Sequence, residues 1–379
     1  MLSTLATVRL ASPSAFSDLT IDIFKLAIVS IALEIVPSPY ATIRWQQNTQ
    51  YRLHMATFAL GSSLFCMIGW AVIALLGVLS HFSWWMAPYA AYLGIQRYLD
   101  MMSQAENRIP EYYKSLCVAA ALRLILTVVG LLVVKGEDHD VLWASLSLSV
   151  AASFIVWMVI QPQDLRPFTR RGHRASVKYL FCDRNFYYAY YLNTALKRLR
   201  DSFLPVASSF AVADKVELAR YLLAMRSVEF AMGQLRIVEA ILANLANRDA
   251  IFHHRTFQLL LLAVLAQAAA FGVGVFLISQ TGFNNETLIL SAIASFIVYP
   301  YVFEISFRSD AYAQGAPLRV SVSFATFAGV LAVALFALTK LNLLLALGLV
   351  ACPLLAQTVA SLTYLATRRL ILGHRVVTP

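Results

Sequence analysis

Nine lysine and arginine residues fall inside or at the ends of long apolar stretches of this 379-residue chain, where a cation needs a partner or water. Two groups are dense enough to do chemistry. The first is Lys197-Arg198-Leu199-Arg200-Asp201, in which Arg198 and Asp201 are three apart and Lys197 and Arg200 share a neighbouring face. The second is Arg226, Glu229 and Arg236, which lie within about 80° of one another at 100° per residue and so form one polar stripe, with Gly233 in the same sector. A guanidinium binds two phosphate oxygens at once and keeps its proton, so such groups suit a pyrophosphate or an acidic sugar. Two readings stay open. One is a water-filled cationic cavity lined by Lys197, Arg198, Arg200, Arg226 and Arg236. The other is a set of ion pairs (Arg198–Asp201, Arg226–Glu229, Arg236–Glu239) that hold a helix bundle together. The excess of cations over acids across 197–239 favours the cavity. Arg123, isolated in its apolar run, must find a partner or a cavity. Lys25, one turn from Asp22, is placed to pair with it or to face a lumen. Glu34, Glu229 and Glu304 are the candidates for protonation or ion coupling.

The elements that carry these residues read as membrane helices. Hydrophobic residues make up 60% of the chain and charged ones 13%, against roughly 25% charged in soluble domains. A helix needs ~20 apolar residues to cross the hydrocarbon. Eleven stretches qualify: 19–37, 55–79, 83–102, 112–134, 141–161, 187–210, 217–243, 257–279, 286–306, 318–339 and 342–366. They are too long and continuous for barrel strands. The expected fold is all-α and polytopic. Alternate connections and the C-terminal tail hold seventeen lysines and arginines, Arg308 and Arg319 among them, against three on the other side. This asymmetry predicts a cytoplasmic C-terminus and a cytoplasmic 162–186 loop, and by parity it places residue 1 outside. It also accounts for much of the +10 net charge without nucleic acid.

Asp100-Met101-Met102-Ser103-Gln104-Ala105 and Asp310-Ala311-Tyr312-Ala313-Gln314-Gly315 share the pattern D-x-x-x-Q-small and lie 210 residues apart, on either side of the longest loop. Two tandem lobes follow: 1–161 with five helices and 187–379 with six, joined by the loop 162–186. Three spans precede the second motif's own span and two precede the first. The plan is therefore 6+6 with the first helix missing, residues 1–18 being a stub and loop.

Three stretches carry a resemblance to a family. LASPSAFSDLTIDIFKLAIVSIAL (10–33) is similar to a loop and second helix, and YLDMMSQAENRIPEYYKSLCVAAALRLILTVVGLLVV (98–134) to a fourth helix, turn and fifth helix. LRDSFLPVASSFAVADKVELARYLLAMRSVEF (199–230) is similar to the opening of a second half. The chain resembles the polysaccharide and O-antigen flippases of the multidrug/oligosaccharidyl-lipid/polysaccharide (MOP) exporter superfamily. The resemblance implies a bacterial inner-membrane protein that moves a polyprenyl-pyrophosphate-linked oligosaccharide by alternating access through a cationic central cavity. The implied partners are that anionic lipid, the bilayer and other polysaccharide-assembly membrane proteins. An ion-coupled multidrug extruder of the same superfamily is the alternative. A membrane glycan polymerase or ligase is disfavoured because every outside loop is under ten residues. No P-loop, G-x-G-x-x-G, H-E-x-x-H or C-x-x-C is present, so the expectation is no enzyme, no cofactor and no metal, with His253-His254 a solvated turn.

Overall fold

The computed structural model describes residues 2–32, 51–105, 108–134, 138–161, 184–212, 214–246, 256–281, 285–313, 317–340 and 346–372. Its described elements are helical. In chain order they are α1 (Leu2–Leu10), α2 (Pro13–Ala32), α3 (Tyr51–Leu75), α4 (Met86–Ala105), α5 (Ile109–Val129) and α6 (Asp138–Ile160). There follow α7 (Arg184–Ala211), α8 (Lys215–Ala246), α9 (Thr256–Thr281), α10 (Asn285–Ser295), α11 (Val298–Ala313), α12 (Pro317–Lys340) and α13 (Ala346–Leu372). Each of the eleven expected spans overlaps one of these helices or, for 286–306, the pair α10 and α11, and residues 33–37 and 342–345 of those spans lie outside the described residues. The chain is an all-α, multi-pass membrane protein. Among the described residues six segments are long and apolar enough to cross on composition alone, Glu286–Arg308 being one of them.

Two expectations need correction. Residues 1–18 are more than a stub and loop, because α1 forms there and packs on α2 and α5. Its nine residues reach about 13 Å, less than half the ~30 Å hydrocarbon. The stretch LSTLATVRL carries no Pro or Gly, so nothing in it opposes a helix. Ser12 then ends α1 and caps α2: its hydroxyl accepts the Ala15 N–H at 3.1 Å while Pro13 takes the first helical position. The second correction is the span 286–306, which is broken. Pro300 has no N–H to give, and the chain bridges Phe296-Ile297 with tighter bonds, Phe296 N–H to Ile293 O and Ile297 N–H to Ala294 O.

The chain divides into two compact units, Leu2–Arg198 and Leu199–Pro379, with the division inside α7. In the first unit α2, α3, α4 and α6 close around Leu19, Leu26, Trp70, Met86 and Trp143. With no water to drive association inside a bilayer, small residues and hydroxyls take over. A Cβ on Gly94 of α4 would stand 2.5 Å from the Ser63 backbone nitrogen of α3, so only glycine permits that crossing. The serines of α6 work the same way. Ser145 bonds Thr127 of α5 at 3.0 Å, and Ser147 donates to the Trp85 carbonyl ahead of α4. In the second unit α8 is the hub, packing on α9, α10, α11 and α13 through Tyr221, Leu222, Leu223, Ala224 and Val228. A Cβ on Gly274 of α9 would meet the Ser291 Cβ of α10 at 2.8 Å.

Candidate functional site

The break at Phe296-Ile297 starts α11 afresh inside the second unit, and the new helix carries two charges into the interior. Glu304 and Arg308 are one turn apart, 6% and 3% exposed, with Arg308 donating to Glu304 Oε1 at 3.2 Å. The other carboxylate oxygen accepts from the Gln357 amide of α13. Around this pair α11 and α13 are sewn by polar contacts. Ser361 donates to the Pro300 carbonyl at 3.2 Å, and the Tyr364 hydroxyl to the Phe307 carbonyl at 2.7 Å, its ring stacked on Phe307. The result is a buried carboxylate that accepts from a guanidinium on its own helix and from an amide on α13.

The charge pattern of the sequence assigns Arg308 to a connection, and hydropathy ends the span close after Glu304. Helical continuation to Ala313 places both well within α11. Hydropathy falls off toward Arg308 because Glu304 and Arg308 are charged, and their helical i, i+4 geometry is what pairs them.

The other charged groups of the second unit lie on α8. Arg226 donates to Glu229 at 2.6 Å, both partly exposed at 29% and 37%, so a fraction of the guanidinium's donors is already taken. Arg220 reaches Glu217 on its own helix at 2.5 Å and Glu286 of α10 at 3.5 Å. The side chains of Arg198, Arg200 and Arg236 lie outside the described residues, as does Glu34. Lys197 is half-buried on α7.

In the first unit Lys25 is buried and all three of its ammonium hydrogens have acceptors. They are Asp22 Oδ1 at 3.1 Å, the Val78 carbonyl at 2.8 Å and Ser80 Oγ at 3.2 Å. Asp22 also accepts the Ser80 N–H at 2.9 Å. The group therefore fastens α2 to the connection after α3, where Gly77 adopts φ +64°. Arg123 is half-buried on α5.

The structure thus brings Glu304 together with Arg308 and Gln357, and Arg226 together with Glu229. It gathers Lys25 with Asp22, Val78 and Ser80. Sequence reasoning missed Gln357, whose amide looks like any polar residue in an apolar run. It also missed a group at the start of α6, Asp18 with His81 and His139, whose members are dozens of residues apart.

No sequence-family model matches the chain, and no curated protein sequence matches it. Solved structures do. An inward-facing multidrug resistance MATE family transporter of the MOP superfamily superposes with a TM-score of 0.63 at 12% identity, over 100% of this chain and 95% of that one. A MATE protein in a bent conformation gives 0.61 at 12% identity, over 98% and 91%. An outward-facing multidrug resistance MATE family transporter of the MOP superfamily gives 0.60 at 14% identity, over 99% and 89%. The chain has the helical fold of these MATE transporters.

Proposed function

We propose that this chain is a membrane transporter that moves an anionic lipid-linked oligosaccharide, a polyprenyl-pyrophosphate glycan, from the cytoplasmic to the outer leaflet. Transport rests on one observation: the whole chain has the fold of solved MATE transporters, and within it a broken helix carries the buried Glu304–Arg308 pair. An ion gradient is the fitting energy source, with Glu304 as the exchanging carboxylate. The anionic cargo is supported by the run Lys197-Arg198-Leu199-Arg200, three cations against the single Asp201 on one stretch of α7. Phosphate oxygens would draw on Arg198 and Arg200 first, with Lys197, Arg226 and Arg236 assisting. The reading takes the protein as a non-enzyme of the bacterial inner membrane, with the C-terminus in the cytoplasm, working beside other polysaccharide-assembly membrane proteins.

A second reading, an ion-coupled multidrug extruder, is favoured by a different observation. Lys25, Arg220, Arg226 and Arg308 each pair with a carboxylate, which removes much of the cationic excess where side chains are described. The two readings separate in one experiment. The chain is expressed in a strain lacking a flippase for a related glycan, and drug susceptibility is measured in an efflux-deficient strain. Glycan export restored by wild type, lost in Arg198→Ala and Arg200→Ala and kept in the lysine variants, supports the glycan. Drug resistance without glycan export overturns it in favour of the extruder.

A further inference from the structure

Two of the chain's seven histidines meet a buried carboxylate at one end of the first unit, where α2 and α6 begin and α3 turns toward α4. His81 and His139 stack with ring centroids 3.8 Å apart. Asp18 Oδ2 stands 3.6 Å from His81 Nε2 and 3.9 Å from His139 Nε2. All three ligand atoms lie within 4.8 Å of one another. At these separations the groups converge without hydrogen-bonding one another. Asp18 is buried and His139 largely so, while the His81 side chain is 47% exposed.

We propose that Asp18, His81 and His139 bind a divalent transition-metal ion, zinc being the best fit, which ties α2, the α3–α4 connection and α6 together. The donor set argues for it. Two imidazoles and one carboxylate are a recurring ligand set for zinc and its neighbours, leaving a fourth position to water. Tetrahedral zinc with bonds of ~2.0–2.1 Å places its donors about 3.4 Å apart, so the two Asp–His separations are a few tenths of an ångström too long. The stacked rings must also part, because an imidazole binds a metal in its own plane. His81 is the one able to turn, being half in solvent, and its exposure gives the ion a way in.

The surroundings favour a cation. Asp138 and Asp140 open α6 on either side of His139. The nearby ammonium of Lys25 is committed to Asp22, Val78 and Ser80. The site does not depend on what the protein carries. On the orientation proposed above it faces the outside, where it would take its ion from the extracytoplasmic space.

The test uses the purified full-length chain, stripped with a chelator and titrated with zinc against a chromophoric competitor. Cobalt serves as a spectroscopic stand-in. One ion per chain at micromolar affinity or tighter is expected, with a rise of a few degrees in Tm that EDTA reverses. His81→Ala, His139→Ala and Asp18→Asn should each weaken binding at least tenfold. His81→Cys should keep it and add a thiolate-to-cobalt band, which loss of folding would not produce. The double variant His253→Ala/His254→Ala should bind as wild type does. Binding untouched by His81→Ala but abolished in the His253/His254 double variant would overturn the proposal, and so would no binding below 100 µM on the order of adventitious affinity.

Discussion

Removing one charge from the Glu304–Arg308 pair should destabilise the second unit far more than removing both. The two side chains are 6% and 3% exposed, and the carboxylate's other oxygen accepts from the Gln357 amide. Glu304→Gln takes from buried Arg308 the carboxylate one turn away, and Arg308→Met takes from buried Glu304 that cation. A buried pair broken on one side costs about 3–5 kcal/mol, whereas replacing both partners by apolar or neutral groups of similar volume is often neutral. At roughly 2–4 °C per kcal/mol for a domain of this size, either single variant should lower Tm by roughly 6–20 °C. The double variant should return most of that loss. Thermal unfolding in detergent, followed by tryptophan fluorescence, reads all four corners of the cycle. Single variants within about 1 kcal/mol of wild type would refute the burial argument. A transport assay on the double variant adds the functional half. If Glu304 exchanges the coupling ion, the double variant regains Tm without regaining transport. Recovery of both would leave the pair a structural fastening only.

Three further outcomes follow from contacts elsewhere. Lys25→Met strands Asp22 among two backbone N–H groups and should cost about 3–5 kcal/mol, with Asp22→Asn/Lys25→Met closer to wild type by the same melting assay. Gly94→Ala pushes a methyl to 2.5 Å from the Ser63 backbone, so α3 and α4 must part at a cost of about 1–3 kcal/mol; Gly61→Ala, facing open space, should be near neutral. Arg198→Ala with Arg200→Ala should abolish glycan export at unchanged membrane levels, while the paired lysine variants retain a measurable share, as counted by surface glycan.

The helices were legible because membrane spans are the strongest pattern a sequence carries: every backbone group must be satisfied within its own segment. The errors fell where that pattern is locally suspended. Pro300 breaks a run that hydropathy reads as continuous, and α1 is too short to register as a span although Ser12 and Pro13 mark where it must end. Polar interior contacts were legible only at helical spacing. Lys25 with Asp22 and Arg226 with Glu229 stand three apart and can be read from one helix. Gln357 against Glu304 and the histidine pair against Asp18 join elements 53 and more residues apart, and no periodicity announces them.

The pairings also bear on how a cationic cargo site should be looked for. Lys25, Arg226 and Arg308 are each neutralised from one turn away on their own helix. That arrangement can form as soon as the helix forms, before any tertiary contact, so it lowers the cost of inserting the helix and does not by itself point to an anionic cargo. A cation kept for a ligand must instead exceed what its own helix supplies in acids. By that measure the informative segment is 197–201, where three cations share one aspartate, and not the Arg226 stripe. Neutralising the excess there with Lys197→Gln/Arg198→Gln should therefore impair export of an anionic lipid more than Arg226→Gln does. Equal impairment would mean that local acid balance does not distinguish a cargo cation from a structural one.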